Sequence, residues 1–143
     1  TVEKYQLDHE FLKGDDLNSD TNIAKIERQP EQTVVFSGYG GVILKPQMLR
    51  LNKTFLHVHG GILPDYRGST TNYYSLIKEG KIGAAAIVMN QEIDQGDILY
   101  QSSFELNADR EEVDHVYDPM ARAIVLREVI TQLTQKRCSK QAN

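Results

Sequence analysis

The sequence predicts an α/β fold in which helices cover a central sheet. Short apolar runs that suit strands lie near residues 33, 55, 84 and 98, and segments with helical spacing alternate with them. This alternation is typical of α/β sandwiches whose sheet is at least partly parallel. The 143 residues suit one domain that buries a sizeable core.

The N-terminal elements follow from local signals. Residues 1–18 predict one weak strand and a loop. A short helix capped by Asp20 or Ser19 is expected to run to about residue 27, with Pro30 beyond its end. The β-branched run Thr33–Phe36 predicts a buried strand, and Pro46 opens one helical turn that ends near Leu49.

The later elements follow in the same way. A helix is expected from an N-cap within 69–71 to about residue 79, where Gly80 ends it. A strand buried on both faces is expected over 83–89 and a further strand over 98–104. Apolar residues recur three or four apart from about 110 to 134, and Pro119 is expected to begin the main helix there. The predicted organisation is a variable N-terminal region over 1–32, a core over 33–104, a helical region over 110–134 and a polar tail over 135–143.

Charge and cysteine content narrow the partners. The formal net charge of −4 gives no basic footprint, so no nucleic-acid partner is expected. The single cysteine, Cys138, cannot form an internal disulfide, which favours a reducing compartment and a cytoplasmic location. No apolar run approaches the roughly 20 residues that span a bilayer, so no membrane association is expected.

The stretch from Phe55 to Gly61 is the strongest candidate site. Side chains alternate along a strand, so His57 and His59 emerge on one face and Leu56 and Val58 on the other. The glycines at 60–61 would let a ligand approach the main chain, which makes them candidate substrate contacts. Two imidazoles therefore lie together where the strand ends.

Two further segments are expected near these histidines. Asp94 lies in the turn before the last strand, and a carboxylate beside a histidine favours the imidazolium, which can donate to a developing oxyanion. This chemistry suits acyl transfer. Val42, Ile43 and Leu44 follow a glycine loop, and they either fill the core or line a pocket for a flat ligand.

The motifs resemble those of a known family. Residues 56–68, Leu-His-Val-His-Gly-Gly-Ile-Leu-Pro-Asp-Tyr-Arg-Gly, resemble the signature of formyltransferases that use 10-formyltetrahydrofolate, in which Asn-Ile-His-Pro-Ser-Leu-Leu-Pro precedes a Tyr-Arg-Gly-like segment. Residues 92–99, Glu-Ile-Asp-Gln-Gly-Asp-Ile-Leu, resemble the family's Leu-Asp-Thr-Gly-Asp-type loop. The resemblance spans about residues 33–101.

The resemblance implies a role for each matched residue. His59 and Asp94 take the places of the catalytic His and Asp, and His57 replaces the catalytic Asn as a second hydrogen-bond donor. Arg67, Gly60 and Gly61 are expected at the substrate. The residues expected to bind the 10-formyltetrahydrofolate donor are Gly41, Val42, Ile43, Leu44, Gln91, Glu92, Ile93 and Gln95.

The resemblance also implies the fold and the acceptor. It predicts a Rossmann-like formyltransferase sandwich with a mostly parallel central sheet. The sequence starts after the family's first β-α-β-α segment, so either it is a fragment of a longer chain or its sheet is completed in another way. The expected enzyme transfers a formyl group to a primary amine of a small molecule, such as a nucleotide-linked amino sugar, and requires no metal. A homodimer is kept as one option for the oligomeric state.

Two alternatives remain from the residues. His57, His59 and Asp94 also meet the spacing of a two-His, one-carboxylate metal site, which would suit a metal-dependent hydrolase. A folate- or nucleotide-binding module without catalysis is the second alternative, because His57 stands where the family has its Asn.

Overall fold

The computed structural model describes residues 3–12, 14, 16–38, 41–106 and 112–135. Its elements, in chain order, are α1 Asp20–Arg28, β1 Thr33–Phe36, α2 Pro46–Leu49, β2 Thr54–His59, α3 Thr71–Glu79, β3 Lys81–Val88, β4 Ile98–Glu105, a π-helix Val113–Tyr117 and α4 Asp118–Thr134. The helices and strands predicted after residue 18 are confirmed to within a few residues. The weak strand predicted over 1–18 is wrong for the described residues of that range, which form turns and irregular backbone.

The four strands form one mixed sheet in the order β1-β2-β3-β4. β1 and β2 are parallel, whereas β2 with β3 and β3 with β4 are antiparallel. The α/β class is confirmed, but the mostly parallel arrangement needs correction for these strands. A parallel pair needs a crossover of a dozen or more residues, and only residues 89–97 join β3 to β4.

Local chemistry fixes the helix ends. The Asn22 N–H donates to the Ser19 hydroxyl at the start of α1 (3.4 Å), and Gly80 ends α3 with a positive φ of 70°. Pro119 lies in the first turn of α4, where its missing N–H costs no helical hydrogen bond. None of the helices in the described ranges is long and apolar enough to cross a membrane.

The two faces of β2 pack against different apolar clusters. Leu56 and Val58 are buried in the main core, which α3 and α4 close from one side. Phe55 lies on the other face and packs with Leu44 and Met48 in a separate apolar cluster. Because side chains alternate along a strand, His57 and His59 lie on the same face as Phe55. His59 is the last residue of β2 and pairs with Ala85 of β3.

Candidate active site

A cavity of about 910 Å³ lies against the histidine-bearing face of the sheet. It is lined by His57 and His59, by residues 41–44 after β1, by residues 89–94 after β3 and by the beginning of α4. Ligand sites of small molecules enclose roughly 300–1,000 Å³, so the space suits a drug-sized ligand. The structure therefore brings together the two segments that the sequence placed near the histidines.

His59 is held by a hydrogen bond from one nitrogen of its ring, and Asp94 lies beside the other. The His59 side chain is buried, and Nε2 lies 2.7 Å from the Tyr66 carbonyl oxygen. A carbonyl can only accept, so Nε2 carries a proton and donates it there. The Tyr66 hydroxyl in turn donates to Glu79, which raises the pKa of Tyr66 to about 12. The second ring nitrogen, Nδ1, is thereby directed to the site.

Asp94 faces that second nitrogen. One carboxylate oxygen lies 3.5 Å from His59 Nδ1, and the other accepts the Gly68 N–H at 2.9 Å. Asp94 has a positive φ of 53°, a backbone conformation that aspartate tolerates better than most residues. The contact with Gly68 joins the two motif loops and sets the position of the carboxylate.

The position of Asp94 also depends on a glycine two residues later. Gly96 is buried against the end of β3, and a Cβ there would lie 1.7 Å from the Val88 carbonyl oxygen. No side chain fits without a backbone shift. Because β3 runs antiparallel to β2, the loop after Val88 must fold back across the sheet face to reach His59, and this close approach permits it.

His57 differs from His59 in charge and in hydrogen bonding. Its Nδ1 donates to the Phe36 carbonyl oxygen at 3.1 Å, which leaves Nε2 as an acceptor in the neutral ring. Burial lowers the pKa of His57, and the positive charge of Arg122 acts in the same direction. The predicted role of His57 as a second oxyanion donor would need a further N–H, which the neutral ring does not have, and that role stays a prediction.

The residues expected at the formyl donor divide into two groups. Gly41, Val42, Ile43, Leu44, Gln91, Glu92 and Ile93 line the cavity, whereas Gln95 does not. Leu44 is 4% exposed and packs in the apolar cluster with Phe55, while Ile43 is 57% exposed. Leu44 thus fills the core and also lines the cavity, whereas Ile43 lines the cavity from an exposed position, and its contact with a flat ligand stays a prediction.

The residues expected at the substrate lie outside the cavity walls. Gly60 and Gly61 are buried, and Arg67 is exposed beside Gly68, which does line the cavity. A Cβ on Gly60 would lie 2.3 Å from Asp118 Oδ1 and 2.4 Å from Arg122 Nη2. The structure therefore explains Gly60 by close packing against α4 rather than by a ligand.

Sequence reasoning missed a second polar cluster, which we call the support cluster: Asn72, Asp118 and Arg122. Asn72 Nδ2 donates to Asp118 Oδ1 (2.6 Å), and Asn72 Oδ1 accepts the Gly83 N–H (2.8 Å). Arg122 donates to Asp118 (2.6 Å) and to the Val58 carbonyl (2.7 Å). The cluster ties α3 and α4 to β2 and β3, and Asp118 and Arg122 also line the cavity.

A weak sequence signal existed for this support cluster. Asp118 and Arg122 are four residues apart at the beginning of a predicted helix, a spacing that brings opposite charges together. Asn72 is buried in α3, where the apolar Leu76 belongs to the main core. Nothing in the spacing connects Asn72 with Asp118, because they are 46 residues apart.

Comparisons with known proteins agree with this geometry. The formyl transferase family matches residues 3–127. Methionyl-tRNA formyltransferase of Ruminiclostridium cellulolyticum is 25% identical over 137 residues, which cover 92% of this chain and 44% of that protein. The metal-hydrolase alternative gains no support from these matches.

Solved structures show the same fold. A sugar N-formyltransferase from Shewanella sp superimposes with a TM-score of 0.71 at 22% identity, covering 89% of this chain and 51% of the other. A formyltetrahydrofolate deformylase from Pseudomonas syringae pv. tomato gives a TM-score of 0.76 at 21% identity, covering 95% and 48%. The chain thus spans about half the length of the proteins that it resembles, and it belongs to the formyl transferase family.

Proposed function

We propose that this protein transfers a formyl group from 10-formyltetrahydrofolate to the primary amine of a small molecule. One observation carries the proposal: His59 is fixed between the Tyr66 carbonyl and Asp94 on the wall of a cavity that suits a ligand of this size. Family membership supports the reaction class, since the chain matches the formyl transferase family over most of its length.

The cavity walls suit the formyl donor. Val35, Val42, Ile43 and Ile93 all line the cavity and are each at least 40% exposed, so a ligand that covered them would remove apolar surface from water. Gln91 and Glu92 lie beside them and offer hydrogen bonds to the polar edge of a flat ring. When bound, 10-formyltetrahydrofolate supplies the formyl group.

His59 stabilises the charge that develops during transfer. Its Nε2 proton is committed to the Tyr66 carbonyl, so Nδ1 is the nitrogen that serves the reaction. When Nδ1, which lies 3.5 Å from Asp94 Oδ1, carries a proton, it donates to the formyl oxygen as the amine attacks. A preorganised donor of this kind contributes about 3–4 kcal/mol of transition-state stabilisation.

His57 and Asp94 transfer the proton that the amine loses. The neutral His57 ring presents Nε2 as an acceptor, so it takes the proton that the amine nitrogen loses as the new C–N bond forms. Asp94 relays that proton through water to the nitrogen from which the formyl group departs. This assignment makes His57 a base, whereas the resemblance alone made it a donor.

The acceptor class that we propose is an amino sugar linked to a nucleotide. The structural similarity to a sugar N-formyltransferase supports a small amine. Arg67, exposed next to the cavity residue Gly68, is the residue that we propose to contact an anionic group of the acceptor.

The test is a transfer assay on the full chain with 10-formyltetrahydrofolate and a panel of amines that includes nucleotide-linked amino sugars, free amino sugars and amino acids. We expect formylation of at least one amine above the uncatalysed rate. Binding of a folate analogue without transfer to any amine would contradict catalysis and favour the non-catalytic module. Failure to bind the analogue would contradict both functions.

A further inference from the structure

We propose that His57, His59 and Asp94 form a binding site for one zinc ion. One ligand atom from each of these side chains lies within 4.8 Å of the other two. Two imidazole nitrogens and a carboxylate oxygen are a common ligand set for zinc, and the fourth position would open to the cavity. We infer binding alone, without hydrolytic chemistry.

The outer hydrogen bonds already orient this ligand set. Metal-binding histidines donate their other N–H to a carbonyl or carboxylate, which fixes the tautomer and aims the lone pair at the metal. His57 donates from Nδ1 to the Phe36 carbonyl, and His59 donates from Nε2 to the Tyr66 carbonyl. Each ring thus keeps one nitrogen for a ligand.

The carboxylate is oriented in the same way. Asp94 Oδ2 accepts the Gly68 N–H, and Oδ1 lies 3.5 Å from His59 Nδ1. With metal–ligand distances of about 2.0–2.1 Å, a tetrahedral zinc separates its ligand atoms by about 3.3 Å. This pair therefore needs to move by only a few tenths of an ångström. Arg122 is the nearby cation, and its charge is offset by Asp118 at 2.6 Å.

The site depends on the residue that departs from the family motif. The resemblance puts an asparagine where this chain has His57, and a neutral amide is a far weaker zinc ligand than imidazole. If the proposed formyl transfer is correct, zinc and transfer compete, because both use His59 Nδ1 and Asp94. That competition rests on the proposed function, whereas the binding does not.

The direct test measures metal binding by the untagged full chain after a chelator has removed bound metal. Zinc is titrated against a chromophoric competitor, and cobalt is titrated separately to record the visible bands of tetrahedral coordination. We expect one equivalent of zinc and tetrahedral cobalt bands. His57→Asn should weaken zinc binding by at least about 100-fold, since even outer partners of metal ligands are worth about 10–100-fold.

His115→Asn is the matched control, because His115 is an exposed histidine in the π-helix. It should bind zinc as the wild type does. Asp94→Asn gives a second test that removes a charged ligand while keeping a residue that tolerates the positive φ. Circular dichroism verifies the fold of each variant.

The proposal is overturned if the wild type binds no stoichiometric zinc. It is equally overturned if His57→Asn and Asp94→Asn keep wild-type affinity, or if His115→Asn loses as much as they do. None of these outcomes depends on formyl transfer, so the binding site can fail while the proposed function stands. In the same way, the zinc site can stand while the proposed formyl transfer fails.

Discussion

Two polar clusters lie next to each other at the end of β2, and they differ in how they use hydrogen bonds. The site cluster consists of His57, His59 and Asp94. In each histidine one ring nitrogen donates to a backbone carbonyl, and the other is directed to the cavity. In the support cluster, Asn72, Asp118 and Arg122 pair with one another and with the backbone. From this difference we infer that the first cluster serves the proposed chemistry and the second mainly stability.

Asp94→Asn should give the largest effect on the site cluster. The amide keeps an acceptor for the Gly68 N–H but loses the negative charge that lies 3.5 Å from His59 Nδ1. We expect kcat for formyl transfer to fall by about 10²–10³, comparable with the loss of a preorganised transition-state donor, while the affinity for a folate analogue changes little. Steady-state kinetics and analogue titration check this.

Asn72→Ala should give the largest effect on the support cluster. It leaves the Gly83 N–H and Asp118 without their amide partner in a mostly buried region. We expect the free energy of unfolding to fall by about 2–3 kcal/mol, which urea denaturation measures. Tyr74→Ala, at an exposed position of the same helix, is the control. Equal midpoints for the two variants would remove the stabilising role of the support cluster.

Gly96→Ala sharpens the comparison, because it acts on the site cluster through packing. The added methyl would meet the Val88 carbonyl oxygen, so the loop that carries Asp94 must move. We expect a loss of about 1–2 kcal/mol in unfolding free energy together with a reduced transfer rate. Gln95→Ala, at the exposed neighbouring position, should leave both quantities close to wild type. A normal rate in Gly96→Ala would show that the loop position is not critical.

The pH dependence of His57 should give the smallest effect. Its folded pKa is lowered, mainly by burial, so below about pH 6.5 the unfolded chain binds more protons there than the folded chain. This contribution to stability is present above the unfolded pKa and is lost as pH falls through the folded one. The slope is at most about 1.4 kcal/mol per pH unit.

Urea denaturation of metal-free protein at about pH 7.5 and pH 5 measures this contribution. His57→Asn should show a weaker decrease in stability over that interval than the wild type. Identical decreases in the two proteins would mean that His57 is not buried in its neutral form.

The sequence predicted local structure better than it predicted strand directions. Caps, prolines and β-branched runs located α1, β1 and α2 because those signals act within a few residues. The antiparallel direction of β3 depends on the path of the connections between the strands. The apolar runs in the sequence carry no information on that path. Only the short 89–97 connection contained that information, since it cannot form a parallel crossover.

The same limit applies to the candidate site. The motifs brought His59 and Asp94 together correctly, because His59 ends β2 at one recognisable motif and Asp94 lies in the loop of the other. It could not show that Phe36 takes the His57 N–H, since that contact spans 21 residues and depends on the pairing of β1 with β2. Nor could it separate the buried Leu44 from the exposed Ile43, because both are equally apolar in the sequence.

The most direct test of the account is the transfer rate of His59→Gln. The glutamine amide can still donate to the Tyr66 carbonyl from about the position of Nε2, but it has no counterpart of the Nδ1 that faces Asp94. We expect kcat/KM for formyl transfer to fall by about 10²–10³ while the urea midpoint stays near that of the wild type. Near-normal transfer by a folded His59→Gln protein would contradict it.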